Sequence, residues 1–182
     1  MSHRRRASWR RAVAVAALPA VLTLAAACTD SDSGASPGKD DPLQTKAIAE
    51  VTALAQERAQ AVATTVGSPL DDWQTNTSPC LGRRGEIADD GRWTLKGFAG
   101  LPVAPADQLT TLHRVRDMWR QQGYDITEDR SFDDGTGGAV SMRDQETAIT
   151  ISLTTSKSRD SIALILASGC YMPVAGEDPA NA

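Results

Sequence analysis

The stretch Thr147-Ala-Ile-Thr-Ile-Ser-Leu-Thr-Thr155 decides the fold. Ile149, Ile151 and Leu153 alternate with Thr150, Ser152 and Thr154. That period of two belongs to a strand with one face in a core and its Ser/Thr face turned to water. A polar turn over 156–160 follows, then Ser161-Ile-Ala-Leu-Ile-Leu-Ala-Ser168. This second run is apolar on both faces, which predicts a central place in the sheet.

Working outward, residues 139–143 predict another strand, with Val140 and Met142 on one face and a tight turn at Asp144-Gln145-Glu146. Asp133-Asp134-Gly135 and Gly137-Gly138 mark the turn before it, and 124–128 alternates as a strand. The spacing of Leu109, Leu112, Val115 and Trp119 predicts a helix over 105–122, ended by Gly123. Residues 92–98 alternate as a strand, whereas 70–91, with Ser78-Pro79-Cys80 and Leu81-Gly82 as breakers, reads as irregular. Ile48, Val51, Ala55, Ala59, Val62 and Val66 form one apolar stripe of a helix over 42–66. Asp41 is its cap, Pro42 its first position and Gly67 its end. The expected order is helix, strand, helix and four strands joined by short turns. This is an α+β domain of about five mainly antiparallel strands with two helices packed on one face.

The amino terminus carries a different message. Arg4, Arg5, Arg6, Arg10 and Arg11 precede an apolar run over 13–27 that is short for a bilayer span and has the flanks of a secretory signal. Ala25-Ala26-Ala27-Cys28 resembles the lipobox of bacterial lipoproteins, with Ala25 where Leu or Val is commoner. The resemblance implies cleavage after residue 27 and acylation of Cys28, and two acyl chains suffice for stable anchoring. A plain secreted protein with a free leading thiol and a retained membrane helix are the alternatives. Residues 29–41 hold no large apolar group and read as a flexible tether. The domain is expected over 42–174, with a disordered tail over 175–182.

Cleavage removes five arginines and no acid, leaving 14 Lys and Arg against 23 Asp and Glu, a formal charge of −9. That balance argues against a nucleic-acid partner and against a polybasic grip on the membrane. Cys80 and Cys170 remain in the exported part, an even count that predicts one disulfide beyond the membrane. With no CxxC, the pair does not read as a redox or metal site.

Candidate chemistry is sparse. His113 is the only histidine of the mature chain, four residues before Asp117 on the second helix. A Ser-His-Asp hydrolase would need a nucleophile such as Ser168 poised on it, and no G-x-S-x-G elbow is present. One histidine and two paired cysteines do not make a zinc site. The acidic pairs Asp71-Asp72, Asp89-Asp90 and Asp133-Asp134 lack EF-hand spacing and read as turn chemistry. No catalytic residue, cofactor or metal is therefore expected. Trp119 falls on a buried stripe; Trp73 and Trp93 are the aromatic candidates for partner contact.

Taken together, the signal and lipobox, the polar tether, Ser78-Pro79-Cys80, Trp119-Arg-Gln-Gln-Gly-Tyr124 and Ser168-Gly-Cys170 resemble the small, uncharacterised lipoproteins of actinobacteria. The resemblance implies a lipid-anchored protein on the extracytoplasmic face of the cell membrane and carries over no catalytic residue. The expected function is non-enzymatic binding or scaffolding at the envelope, with the membrane as one partner and an envelope protein as another. An inhibitor or immunity-type protein for a secreted enzyme is the alternative. A hydrolase using His113, or a lipid carrier with an apolar cavity, stands behind these.

Overall fold

The computed structural model describes residues 43–179 apart from 83, 157 and 159. The signal, Cys28, the tether, Asp41 and Pro42 lie outside the described residues. The elements run α1 (Ile48–Val66), β1 (Asp71–Pro79), β2 (Trp93–Pro102), a single 3-10 turn (Pro105–Asp107), α2 (Gln108–Gln121), β3 (Asp125–Ser131), β4 (Gly138–Arg143), β5 (Thr150–Thr155) and β6 (Ser161–Ala167). The described strands make one sheet in the order β1-β2-β6-β5-β4-β3, with every pair antiparallel. Helix α1 packs on β2 and β6, and α2 on β3, β4 and β5. The α+β class and the segregation of both helices to one face are as expected; the strands are six, not about five.

The core lies between that face and the helices. Ile149, Ile151, Leu153, Ile162, Leu164 and Leu166 are each at most 1% exposed. They meet Val51, Ala55, Ala59 and Val62 of α1 and Leu112, Val115 and Trp119 of α2. Strand β6 is central, as its composition predicts, but only its even side is buried, and Ile165 on its odd side is exposed.

The extra strand is β1, in the stretch expected to be irregular. Trp73, Thr75 and Thr77 alternate in burial with Gln74 and Asn76, yet only Trp73 is large and apolar. An edge strand needs no more than that, because its outer side faces solvent. Asp71-Asp72 is therefore strand rather than turn: Asp72 takes a positive φ of 52° at a register break between Asp71 and Gln74.

Helix α1 starts at Ile48 rather than near residue 42. Backbone pairing holds the preceding residues extended, with Met172 N donating to Gln44 O at 2.9 Å and Lys46 N donating to Met172 O at 3.1 Å. Ala47, at the cap position, offers no side-chain acceptor; instead the Glu177 carboxylate accepts from Ile48 N at 3.1 Å. An acid from the far end of the chain thus meets an unsatisfied donor at the positive end of the helix. Residues 175–179, expected within a disordered tail, lie against the domain, and Pro179 O accepts from the Thr77 hydroxyl. At the other end, Gly67 takes φ 78° and its N–H returns to Ala63 O at 2.9 Å.

Cys80 and Cys170 form a disulfide with Cα atoms 6.2 Å apart, joining the end of β1 to the segment after β6. Residues 90 apart in sequence are thereby linked. Replacing both cysteines by serine is expected to lower unfolding stability by about 2–4 kcal/mol in urea titration. An unchanged midpoint would show that the crosslink adds nothing to the backbone pairing beside it.

Candidate functional site

The uncovered face of the sheet is the broadest candidate. Register fixes which residues it carries. Glu128 of β3, Ser141 of β4, Ser152 of β5, Ile165 of β6, Phe98 of β2 and Gln74 of β1 stand in one row across the strands. The β3–β5 half is polar and bonded within itself: Ser141 Oγ donates to Glu128 Oε2 at 3.1 Å and to Ser152 Oγ at 2.9 Å, alternative geometries for one proton. The centre is apolar. Phe98 and Ile165 face each other across β2 and β6, 38% and 43% exposed. On the same side, Gly100 and Ala163 flank them towards one end of the strands and the exposed Lys96 and Ala167 towards the other. The sequence carried this signal in the odd positions of β6, which read as a second buried face.

Neither tryptophan proposed for partner contact is on that face. Trp93 is 1% exposed, packed in the core with its ring centroid 5.8 Å from that of Tyr171. Trp73 is half-buried against the core, and its ring lies over Gly97. A Cβ built on Gly97 would sit 2.4 Å from the Trp73 ring, so this glycine is required by the close approach. Both rings spend their apolar area on packing, which removes them as exposed contacts. Trp119 is core, as expected.

His113 is half-buried on α2, in an open groove with Thr65, Thr110, Arg114, Asp117 and Met118. Asp117 belongs to arginines: Arg116 Nε donates to it at 2.8 Å and Arg120 stands 3.5 Å away. The Arg116 bond holds its carboxyl below the usual carboxylate range. Ser168 Oγ accepts from Leu95 N at 2.9 Å and lies 2.8 Å from Gly169 O. The structure does not bring Ser168 to His113, and the expected hydrolase triad is not assembled from them.

The acidic pairs do local work. Asp134 Oδ1 accepts from Thr136 N at 3.0 Å in the β3–β4 turn. Arg92 Nε donates to both Asp90 oxygens, at 2.8 and 2.9 Å, and this pairing pulls the Asp90 pKa down to about 2. Among the described residues no group of three or more His, Cys, Asp or Glu could hold a metal ion. Among them, too, no helix is long and apolar enough to cross a membrane.

One buried polar cluster escaped the sequence. Arg58, on the flank of α1, donates to Tyr124 OH at 3.0 Å and stands 3.4 Å from Asp144 Oδ2. Asp144 is 4% exposed and also accepts from Glu146 N at 2.9 Å and Thr147 Oγ1 at 2.7 Å. Tyr171 OH donates to Thr147 O at 3.1 Å, and burial pushes its pKa up. The cluster ties α1, the β4–β5 turn and the segment after β6 together. Asp144 was legible as a turn residue; its link to Arg58, 86 positions away, was not. Arg58 uses both terminal nitrogens in the cluster while its buried Nε has no hydrogen-bond partner among the described residues, and the bonds between elements mark a clamp.

Comparison with known proteins gives no matching family model, no matching curated protein and no matching solved structure.

Two substitutions test the local geometry. Asp144→Ala is expected to cost about 3 kcal/mol, the low end for breaking a buried pair because Arg58 keeps some solvent contact. A loss below about 1 kcal/mol in urea titration would mean the clamp is not held by this carboxylate. Gly97→Ala should cost about 1–3 kcal/mol by overpacking against Trp73. Trp73→Leu in the same chain should recover part of that loss; an unchanged deficit would place the strain elsewhere.

Proposed function

We propose that this chain is a lipid-anchored envelope protein, held through Cys28 at the extracytoplasmic face of the membrane, that acts by binding and not by catalysis. The lipobox-like Ala25-Ala26-Ala27-Cys28 and the charge change on cleavage support the address. The Cys80–Cys170 disulfide suits an oxidising compartment.

The observation that carries the binding reading is the exposed Phe98–Ile165 pair at the centre of an otherwise polar, small-residue sheet face. Large apolar groups left in register on an uncovered face mark a contact surface more than a solubilised one. An apolar centre bordered by Lys96, Ser141 and Ser152 suits another folded protein, docked with its own apolar patch at the centre and polar groups at the rim. A deep small-molecule pocket is not what this surface offers.

The test uses the processed full-length protein and its variants Phe98→Lys and Ile165→Lys. Partner capture from envelope extracts should fall more than tenfold for both. It should stay unchanged for Arg114→Ala, on the helix side. Equal capture by all the proteins would sink the assignment of this face. Mass analysis of Cys28 tests the anchor separately: an unacylated amino terminus removes it.

A further inference from the structure

Two glycines of β2 differ in what their own fold asks of them. Gly97 is fixed by the Trp73 ring that lies over it. Gly100, on the open face, has no such neighbour. A Cβ built there would meet only Asp71, 3.8 Å from its Cβ and 3.9 Å from its O, which is ordinary contact. The register break opposite lies in β1, where Asp72 and not Gly100 takes the positive φ. Glycine inside a strand weakens it. Where the chain's own packing does not require one, it marks a place that another backbone or ligand approaches closely.

Gly100 belongs to the row beside Phe98 and Ile165. Register sets it next to Ala163, as it sets Phe98 next to Ile165. The face thus carries a large pair and a small pair in adjacent rows of the same two strands. On β1, Gln74 continues the large row and Asp71 the small one. Lys96, Arg130 and Arg143 stand on this face with Asp71, Asp125 and Glu128. These charges balance, so the face does not carry the acidic excess of a chain whose formal charge is −4.

We infer that the occupant of this face is a second copy of the chain, packed sheet on sheet about a two-fold axis that crosses the strands between the two rows. Such an axis lays Phe98 on Gly100 of the second copy and Ile165 on its Ala163, and each contact occurs twice. It also brings the Gln74 amide, a donor, to the Asp71 carboxylate. Stacked sheets keep about 10 Å between them and about −30° between their strand directions. The central pairs therefore stay close to in line while the outer strands diverge.

A self-matching contact needs both halves of the fit on one surface, and the two rows supply them. An unrelated partner gives Gly100 no reason to be glycine. The inference rests on the reading of the Phe98–Ile165 face as a binding surface and names its partner; it does not depend on the anchor at Cys28.

The experiment is sedimentation equilibrium of the purified full-length chain in density-matched detergent micelles, which keep any acyl group in solution. The protein should show a reversible monomer–dimer equilibrium. Gly100→Phe and Phe98→Gly should each weaken it at least about tenfold. The double variant, which exchanges the large and small positions, should return the dissociation constant to within about threefold of the starting protein, because the two sites couple across the axis. Gly100→Ala, at a concentration where the chain is monomeric, should leave the urea midpoint unchanged or higher; a lower midpoint means the fold itself needs this glycine and overturns the inference. So does a dimer indifferent to these substitutions, or a double variant as weak as either single one. A chain that stays monomeric, yet captures an envelope protein through Phe98 and Ile165, overturns the second copy and leaves the binding face standing. Capture indifferent to both residues overturns the face and this inference with it.

Discussion

The burial of one side of β4, β5 and β6 beneath two helices is the constraint on which the other features depend. Register stacks Met142, Ile151 and Leu166 in one inner row and Val140, Leu153 and Leu164 in the next. All are buried. Fully burying one such side chain stabilises by about 1.5–3 kcal/mol. A one-residue slip of β5 would turn Ile149, Ile151 and Leu153 to solvent and drive Thr150, Ser152 and Thr154 into the core. Register is thus specified by hydrophobicity, and the composition of the opposite face follows from it. Phe98 and Ile165 are exposed because the inner positions of β2 and β6 are fixed by Leu95, Leu101, Ile162, Leu164 and Leu166.

This explains which parts of the fold were legible in the sequence. Wherever burial is one-sided and strong, the pattern shows: β5, β6, the α1 stripe from Val51 to Val66 and the face of α2 carrying Leu112, Val115 and Trp119. Where an element is held by its neighbours, the pattern is silent. Strand β1 takes its pairing from β2 and needs only Trp73, Thr75 and Thr77 inward. The start of α1 is set by Met172 and Glu177, residues over a hundred positions away, which no local rule senses. The candidate surface was half legible. The alternation of β6 shows two apolar sides, but sequence does not distinguish a side covered by protein from one left bare. Trp73 and Trp93 misled for the complementary reason. Sequence shows a large aromatic near a loop or strand start but not the Gly97 and Tyr171 that accommodate the two rings.

The segments that local patterns missed converge at one end of the sheet. Residues 44–46 pair with Met172, Trp93 pairs with Tyr171, and Cys80 is crosslinked to Cys170. Glu177 caps α1, and Tyr171 OH reaches Thr147 O beside the Arg58–Asp144 clamp. Segments from across the domain are thus interlocked where the chain enters from its amino-terminal side. Force or fluctuation transmitted from that side meets backbone pairing and a covalent link before it reaches the core. The rest of the sheet can then remain an ordinary antiparallel sheet with one bare face.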